Sequence, residues 1–255
     1  MFQELRWKVA VPVACLALAV ATTARAQVGG GDGYLFGPPN GQISIRAGYS
    51  QPSASSDLFT ESFDIFSLQK SSLRAPDVGA ELGFSLRRQL DLTLDIGFSG
   101  RSSSSDYRHF AENNKPIEQT TTFQRIPITA GLKAYLLPRG RSIGTLAWIP
   151  SGVVPWVGAA VGMTHYRFVQ EGDFVAPAAS DGTFPIYSDK LESGGWGAAA
   201  QLSGGVDVNL STRTAVTFDA RYIRSHASLD RNYFSGYNDL DLSGASLALG
   251  LTFRL

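Results

Sequence analysis

The last nine residues, Leu247 to Leu255, alternate without a break: Leu247, Leu249, Leu251, Phe253 and Leu255 fall on one face, and Ala248, Gly250, Thr252 and Arg254 on the other. Side chains on a pleated strand point alternately to its two sides, so this segment is a strand with one oily face and one small or charged face. The pattern recurs upstream. Val78, Ala80, Leu82, Phe84 and Leu86 share a face, and beyond Arg87, Arg88 and Gln89 so do Leu90, Leu92, Leu94, Ile96 and Phe98. A tight hairpin keeps both apolar faces together only if Leu86 pairs with Leu90, Phe84 with Leu92, Leu82 with Leu94, Ala80 with Ile96 and Val78 with Phe98, because a one-residue slip turns every side chain over. By the same rule 196–210 and 214–222 form a second hairpin, with Val208 facing Val216, Val206 facing Phe218 and Leu202 facing Tyr222.

Runs at 42–49, 125–136 and 155–168, with the terminal strand, bring the count to eight, and about 9 to 11 residues suffice for a tilted strand to cross a bilayer. The connections alternate in length. Long polar stretches at roughly 50–77, 100–122, 170–194 and 224–240 lie between strands one and two, three and four, five and six, and seven and eight. Two of the other three connections are tight turns, and 138–153, with Trp148, is a long exception expected to extend its strands or rest at the inner interface. Short turns at one end and long loops at the other characterise outer-membrane barrels. Tyr49, Tyr166, Phe168, Trp196 and Tyr222 fall towards the outer ends, and Trp156, Phe218 and Phe253 towards the inner, as interfacial girdles would.

At the other terminus, Arg6 and Lys8 precede an apolar run from Val9 to Ala21 and then Ala24-Arg25-Ala26, which predicts a signal peptide over 1–26 cleaved before Gln27. The run is too short to span hydrocarbon as a helix, and no later stretch is long and apolar enough to do so. Cys15 is the only cysteine and lies in the leader, so the mature chain is expected to use neither disulfides nor thiol chemistry. Cleavage also removes Arg6, Lys8, Arg25 and Glu4, turning 22 basic against 22 acidic residues into 19 against 21. No basic face for nucleic acid is expected from that balance. What remains is a short periplasmic segment, 27–41, and one all-β barrel over 42–255.

The leader, the eight alternating runs and the apolar final strand resemble the small OmpW/OmpX-like outer-membrane barrels, the outer membrane protein beta-barrel domain group, over roughly Gln42 to Leu255. The resemblance implies an eight-stranded antiparallel up-and-down transmembrane β-barrel in a bacterial outer membrane, in contact with outer-membrane lipid and lipopolysaccharide. It also implies a restricted conduit for small or hydrophobic solutes. The last strand is what the barrel-assembly machinery would read; Leu255 stands where such barrels usually end in an aromatic, with Phe253 two positions earlier.

An eight-stranded barrel has an interior just wide enough for side chains to fill. The inward positions include Gly48, Gly79, Gly83, Gly97, Gly131, Gly162 and Gly250 and the ionisable residues Glu81, Asp91, Asp95, Lys133, Asp207, Asp219, Arg221 and Arg254. The hairpin register sets Glu81 opposite Asp95, and two facing carboxylates require a proton or a cation between them. Lys133 and Arg221 are the candidates. A static ion-pair network that plugs the lumen, a narrow gated ion path, and acid–base catalysis are the three readings of this constellation.

Neither a metal-ligand cluster nor a phosphate-cradling glycine loop is present, and no cofactor is expected. Among His109, His165 and His226, the last forms His226-Ala227-Ser228, which is similar to the His-x-Ser of lipid A deacylases, with Leu229 where those enzymes carry Asn. On a strand both side chains face the same way, so His226 could activate Ser228; a polar loop is the other reading. In the first long connection Leu58, Phe59, Phe63, Ile65 and Phe66 predict a packed loop, a short interfacial helix or a cover for the barrel mouth. Glu171, Asp173, Asp181, Asp189 and Glu192 make the third connection acidic, either a solvated loop or a site for divalent bridging to lipopolysaccharide. The expected protein is therefore a non-enzymatic outer-membrane scaffold. The competing class is a soluble periplasmic lipocalin-like binder, which would turn its apolar faces inward around a ligand.

Overall fold

The structure is a computed structural model that describes Leu35, 37–112, 115–144, 147–176 and 184–255. The expected leader, most of the 27–41 segment, and Asp181 lie outside the described residues. Strands β1 (Gly41–Pro52), β2 (Ala75–Arg87), β3 (Leu90–Glu112), β4 (Lys115–Tyr135), β7 (Val153–Val175), β8 (Ile186–Asn209), β9 (Thr214–Ala227) and β11 (Gly244–Arg254) pair antiparallel in chain order, and β11 returns to β1. The sheet is thus a closed eight-stranded ring with no free edge at its waist. Two short strands, β5 (Gly140–Ile143) and β6 (Ala147–Pro150), form a hairpin within the 138–153 connection, and β10 (Leu240–Asp241) adds to the outer end of β9.

Alternation fixes which face looks out. Phe84 pairs with Leu92, Leu82 with Leu94 and Val78 with Phe98, and Val206 pairs with Phe218 and Leu202 with Tyr222, as the hairpin rule requires. One expected pair differs. A bulge between Ser85 and Arg87 sets Arg87, in place of Leu86, against Leu90, which closes the hairpin on a two-residue turn at Arg88 and Gln89, the favoured length. Leu94, Ile128, Leu132, Val161, Leu202, Phe218 and Leu249 stand exposed on the outer wall, while charged residues fill the interior. On the outer wall of β4 the apolar positions run from Ile126 to Leu136, and Gln124 begins the polar part. Ten steps at roughly 3.3 Å, on a strand tilted by about 40°, rise about 25 Å, the height of an outer-membrane hydrocarbon belt. The inward-facing lipocalin arrangement has the opposite polarity.

The expected loops at 100–122 and 170–194 are largely strand. β3 and β4, and β7 and β8, continue as hairpins well above the belt, paired as far as Glu112 with Lys115 and Val175 with Ile186. On β3–β4 most positions there are polar on both faces, and on β7–β8 the apolar residues Val169, Phe174, Val175, Ile186, Tyr187 and Leu191 follow no strict alternation, so the period that marks a strand disappears while the ladder persists. Hydroxyl pairs replace it: Ser102 with Thr122 at 2.8 Å and Ser104 with Thr120 at 3.3 Å. Three of the expected girdle aromatics also turn inward. Trp156, Tyr166 and Phe168 are almost fully buried, because they hold the even positions of a strand whose odd positions, such as Val161 and Met163, face out. Tyr49, Trp196, Tyr222, Phe218 and Phe253 are exposed on the wall.

The first long connection folds as helix α1 (Asp57–Ile65), followed by a short 3-10 turn over Lys70–Leu73. Leu58 and Phe59 point down from α1 into an apolar cluster with Phe123, Phe168, Phe234 and Leu242, so the helix caps the outer mouth. Phe59 is wholly buried, its ring 5.3 Å from that of Phe123 and 5.7 Å from that of Phe168. The barrel therefore keeps its apolar core at the mouth, whereas its waist is polar.

Candidate functional site

The waist is a lattice of buried ion pairs whose members come from five strands. Glu81 on β2 faces Asp95 on β3, and Arg221 of β9 reaches across the lumen to both, at 3.0 Å from Glu81 and 2.9 Å from Asp95, while also holding Asp219 at 3.1 Å. Lys133 of β4 meets the other oxygen of Glu81 at 3.4 Å and lies 4.0 Å from the Trp156 ring centroid. Arg46 of β1 completes the group with a bidentate pair to Asp95 at 2.5 and 2.9 Å. Its guanidinium crosses above Gly79, where a Cβ would stand 2.5 Å from it, so glycine opens the space that this arginine occupies. A carboxylate pair that repels on its own is in this way divided among three cations.

Towards the inner end, Asp91 accepts from Tyr135 at 2.9 Å and from Arg139 at 3.0 Å, and Gln42 donates to the Tyr135 hydroxyl at 2.8 Å. Asp207 takes bonds from the Trp156 indole at 3.1 Å and from Thr217 at 2.9 Å. Arg254 bonds Asn209 and the Thr212 carbonyl, and lies 5.7 Å over Trp148, the buried residue of the β5–β6 hairpin. The 138–153 connection therefore folds under the barrel and sends Arg139 up into it. At the outer end Arg125 donates to the Leu242 and Ser243 carbonyls and to Ser50, and Asp77 lies nearby with no hydrogen bond or ion pair among the described residues.

All eight ionisable residues expected in the lumen are buried there. Arg46, Arg125, Asp77 and Arg139 join them. The first three hold positions next to outward-facing Ile45, Ile126 and Val78, so strand parity marks them as inward, whereas Arg139 belongs to an irregular segment that carries no parity. Two cavities along the lumen are small. One cavity of about 10 Å³ touches Glu81, Lys133 and Arg221, and another of about 30 Å³ lies between Arg125, Asp77 and Gln201. The first has room for about one water and the second for two or so.

His226 and Ser228 are both exposed, and no hydrogen bond joins them. His226 stands 3.7 Å from Asp241, and Ser228 offers its backbone carbonyl to the Tyr166 hydroxyl at 2.6 Å. Among the described residues no group of His, Cys, Asp and Glu has the geometry of a metal site.

No protein-family model and no curated protein matches the chain. Among solved structures it is similar to the Neisserial surface protein NspA, at 13% identity over 84% of this chain and 96% of that one, with a TM-score of 0.46. It is also similar to OprG of Pseudomonas aeruginosa, at 16% identity over 87% and 100% and a TM-score of 0.43. A third is Ail, the attachment invasion locus protein of Yersinia pestis, at 14% identity over 85% and 99% and a TM-score of 0.42.

Proposed function

We propose that the chain is an integral protein of a bacterial outer membrane, exported with loss of residues 1–26, whose plugged barrel is a scaffold for the hairpins and lid at its outer end. The observation that carries this reading is the ion-pair lattice around Arg221, which leaves cavities with room for only a few waters across the waist. A conduit for small solutes would require Arg221, Arg46 and Lys133 to leave their carboxylates together, stranding buried charges. The outer end has the opposite character: β3–β4 and β7–β8 rise beyond the apolar belt and present polar side chains to the exterior. The exposed, unjoined His226 and Ser228 support a non-enzymatic reading, and lipid A of unchanged acyl pattern after expression is the expected result.

Reconstitution into planar bilayers between pH 4 and 8 tests the plug. Silence is expected throughout, and stepwise currents at any pH in that range would replace the scaffold with a conduit. Membrane fractionation tests the location: the protein is expected to resist salt and carbonate and to leave only with detergent.

A further inference from the structure

The inner rim of the barrel is strongly basic. The connections at 86–90, 135–153 and 209–214 contain Arg87, Arg88, Arg139, Arg141 and Arg213 and not one Asp or Glu; Arg254 closes the chain beside them. Arg139 and Arg254 are consumed inside the barrel. Arg87, Arg88, Arg141 and Arg213 are exposed and make no ion pair or side-chain hydrogen bond with the described residues. The outer end carries both signs with an excess of acid: Glu61, Asp64, Asp106, Glu118, Asp189 and Asp239 are among its carboxylates, and Lys70, Arg74, Arg101, Arg108, Lys190 and Arg231 among its cations.

Each of these arginines lies within three residues of an exposed apolar one, Arg87, Arg88 and Arg213 at the inner ends of wall strands and Arg141 on the β5–β6 hairpin beneath the barrel. Leu86 precedes Arg87 and Arg88, Ile143 follows Arg141 by two, and Leu210 precedes Arg213 by three; all three apolar residues are at least half exposed. The β2–β3 and β8–β9 turns are too short to carry a side chain far from the last ladder pair, so the guanidinium groups of Arg87, Arg88 and Arg213 stay at the level where acyl chains give way to headgroups. A guanidinium is built to bind phosphate oxygens in pairs, and its stem can lie along apolar surface while the head reaches water.

We infer that the inner rim is a binding belt for anionic phospholipid of the inner leaflet, with Arg87, Arg88, Arg141 and Arg213 engaging headgroup phosphates. The charges surround the base of the barrel at several points, which matches a ring of lipids better than one elongated polymer. The belt also favours one orientation, since the acidic end is repelled by the same headgroups. This inference rests on the outer-membrane reading with the short turns inward.

The full chain, purified in detergent, is incubated with equal amounts of phosphatidylglycerol and phosphatidylcholine of matched chains, and retained lipid is counted by native mass spectrometry. The native protein is expected to favour phosphatidylglycerol by about fivefold or more, the factor a single well-placed arginine supplies. R87Q/R88Q/R141Q/R213Q should bring the ratio close to unity. R87K/R88K/R141K/R213K should keep most of it, and 0.5 M salt should weaken it in the native protein. A ratio unchanged in the glutamine variant overturns the belt. Should that variant fail to fold, a native preference that ignores salt overturns it instead. Loss of binding to purified peptidoglycan sacculi, with lipid preference unchanged, would reassign the rim to cell-wall carboxylates. Release of the native protein by carbonate would refute the outer-membrane reading itself, which is a different failure from loss of lipid selectivity in a detergent-extracted barrel.

Discussion

Arg221 is the residue on which the waist turns, because three carboxylates on three strands share its guanidinium. Replacing it with Gln leaves Glu81, Asp95 and Asp219 with less positive charge in a confined space, and removal of one partner from a buried pair typically costs about 3–5 kcal/mol. R221Q is expected to lower the urea midpoint of the refolded barrel accordingly; a midpoint within error of the native protein would show that water or Lys133 and Arg46 suffice. Asp77 predicts the opposite. It is buried without a hydrogen bond or close ion pair among the described residues, and only the longer-range charges of Arg46, Arg125 and Arg221 offset its desolvation, so D77N is expected to leave the midpoint unchanged or raise it. A fall of more than about 1 kcal/mol would mean that Arg125 depends on it across the cavity. Parity makes most of these residues legible from the chain alone: Glu81, Asp95 and Arg221 alternate with apolar neighbours. Who pairs with whom is not legible, since Arg221 and Glu81 are 140 residues apart and meet only across the closed ring.

At the scale of the element, α1 and the 228–242 segment form a lid held by local polar contacts. Asp57 accepts from the backbone and side chain of Asn238, both at 2.9 Å, and Tyr237 donates to Glu61 at 2.5 Å. The Asn238 backbone bond, with further bonds from Leu58 and the Asn238 side chain, holds the Asp57 carboxyl below its ordinary value. Burial, then the Glu61 carboxylate, pushes the Tyr237 phenol up. A depressed carboxyl contributes stability that is present above its ordinary value and lost as pH falls through the folded one; a raised phenol contributes stability that is present below about 10 and lost as pH rises through the folded one. Limited proteolysis of the lid should therefore be slowest between about pH 5 and 9 and should accelerate on both sides, and a flat profile would deny these bonds any part in closure. F59A tests the apolar half of the lid. Truncating a wholly buried aromatic typically costs about 3–5 kcal/mol, so the lid should become protease-sensitive while the barrel stays folded. Hydrophobic residues in this connection announced that something packs there, but a nine-residue amphipathic segment does not say against what. The outer halves of β3, β4, β7 and β8 were less legible still, because period-2 reading depends on two unlike faces, and there β3–β4 is polar on both while the apolar residues of β7–β8, such as Val169, Phe174 and Leu191, do not alternate.

For the whole molecule, the distribution of charge is three-layered: a basic inner rim, a paired waist and an acidic outer end. The alternating runs by themselves determined the strand count over the belt, the register of two hairpins and which side chains share a face, because pleat and parity are local properties of a strand. They also determined that charges and glycines fall on one side and leucines on the other. Only the tertiary structure decided that the ring closes through β1 and β11, that Arg221 divides itself among three carboxylates, that Arg139 enters from below and that Phe59 seals the mouth. Those outcomes depend on strands and loops distant in sequence arriving at one place, and the pairing energy that selects them exists only once the barrel has excluded water from its interior.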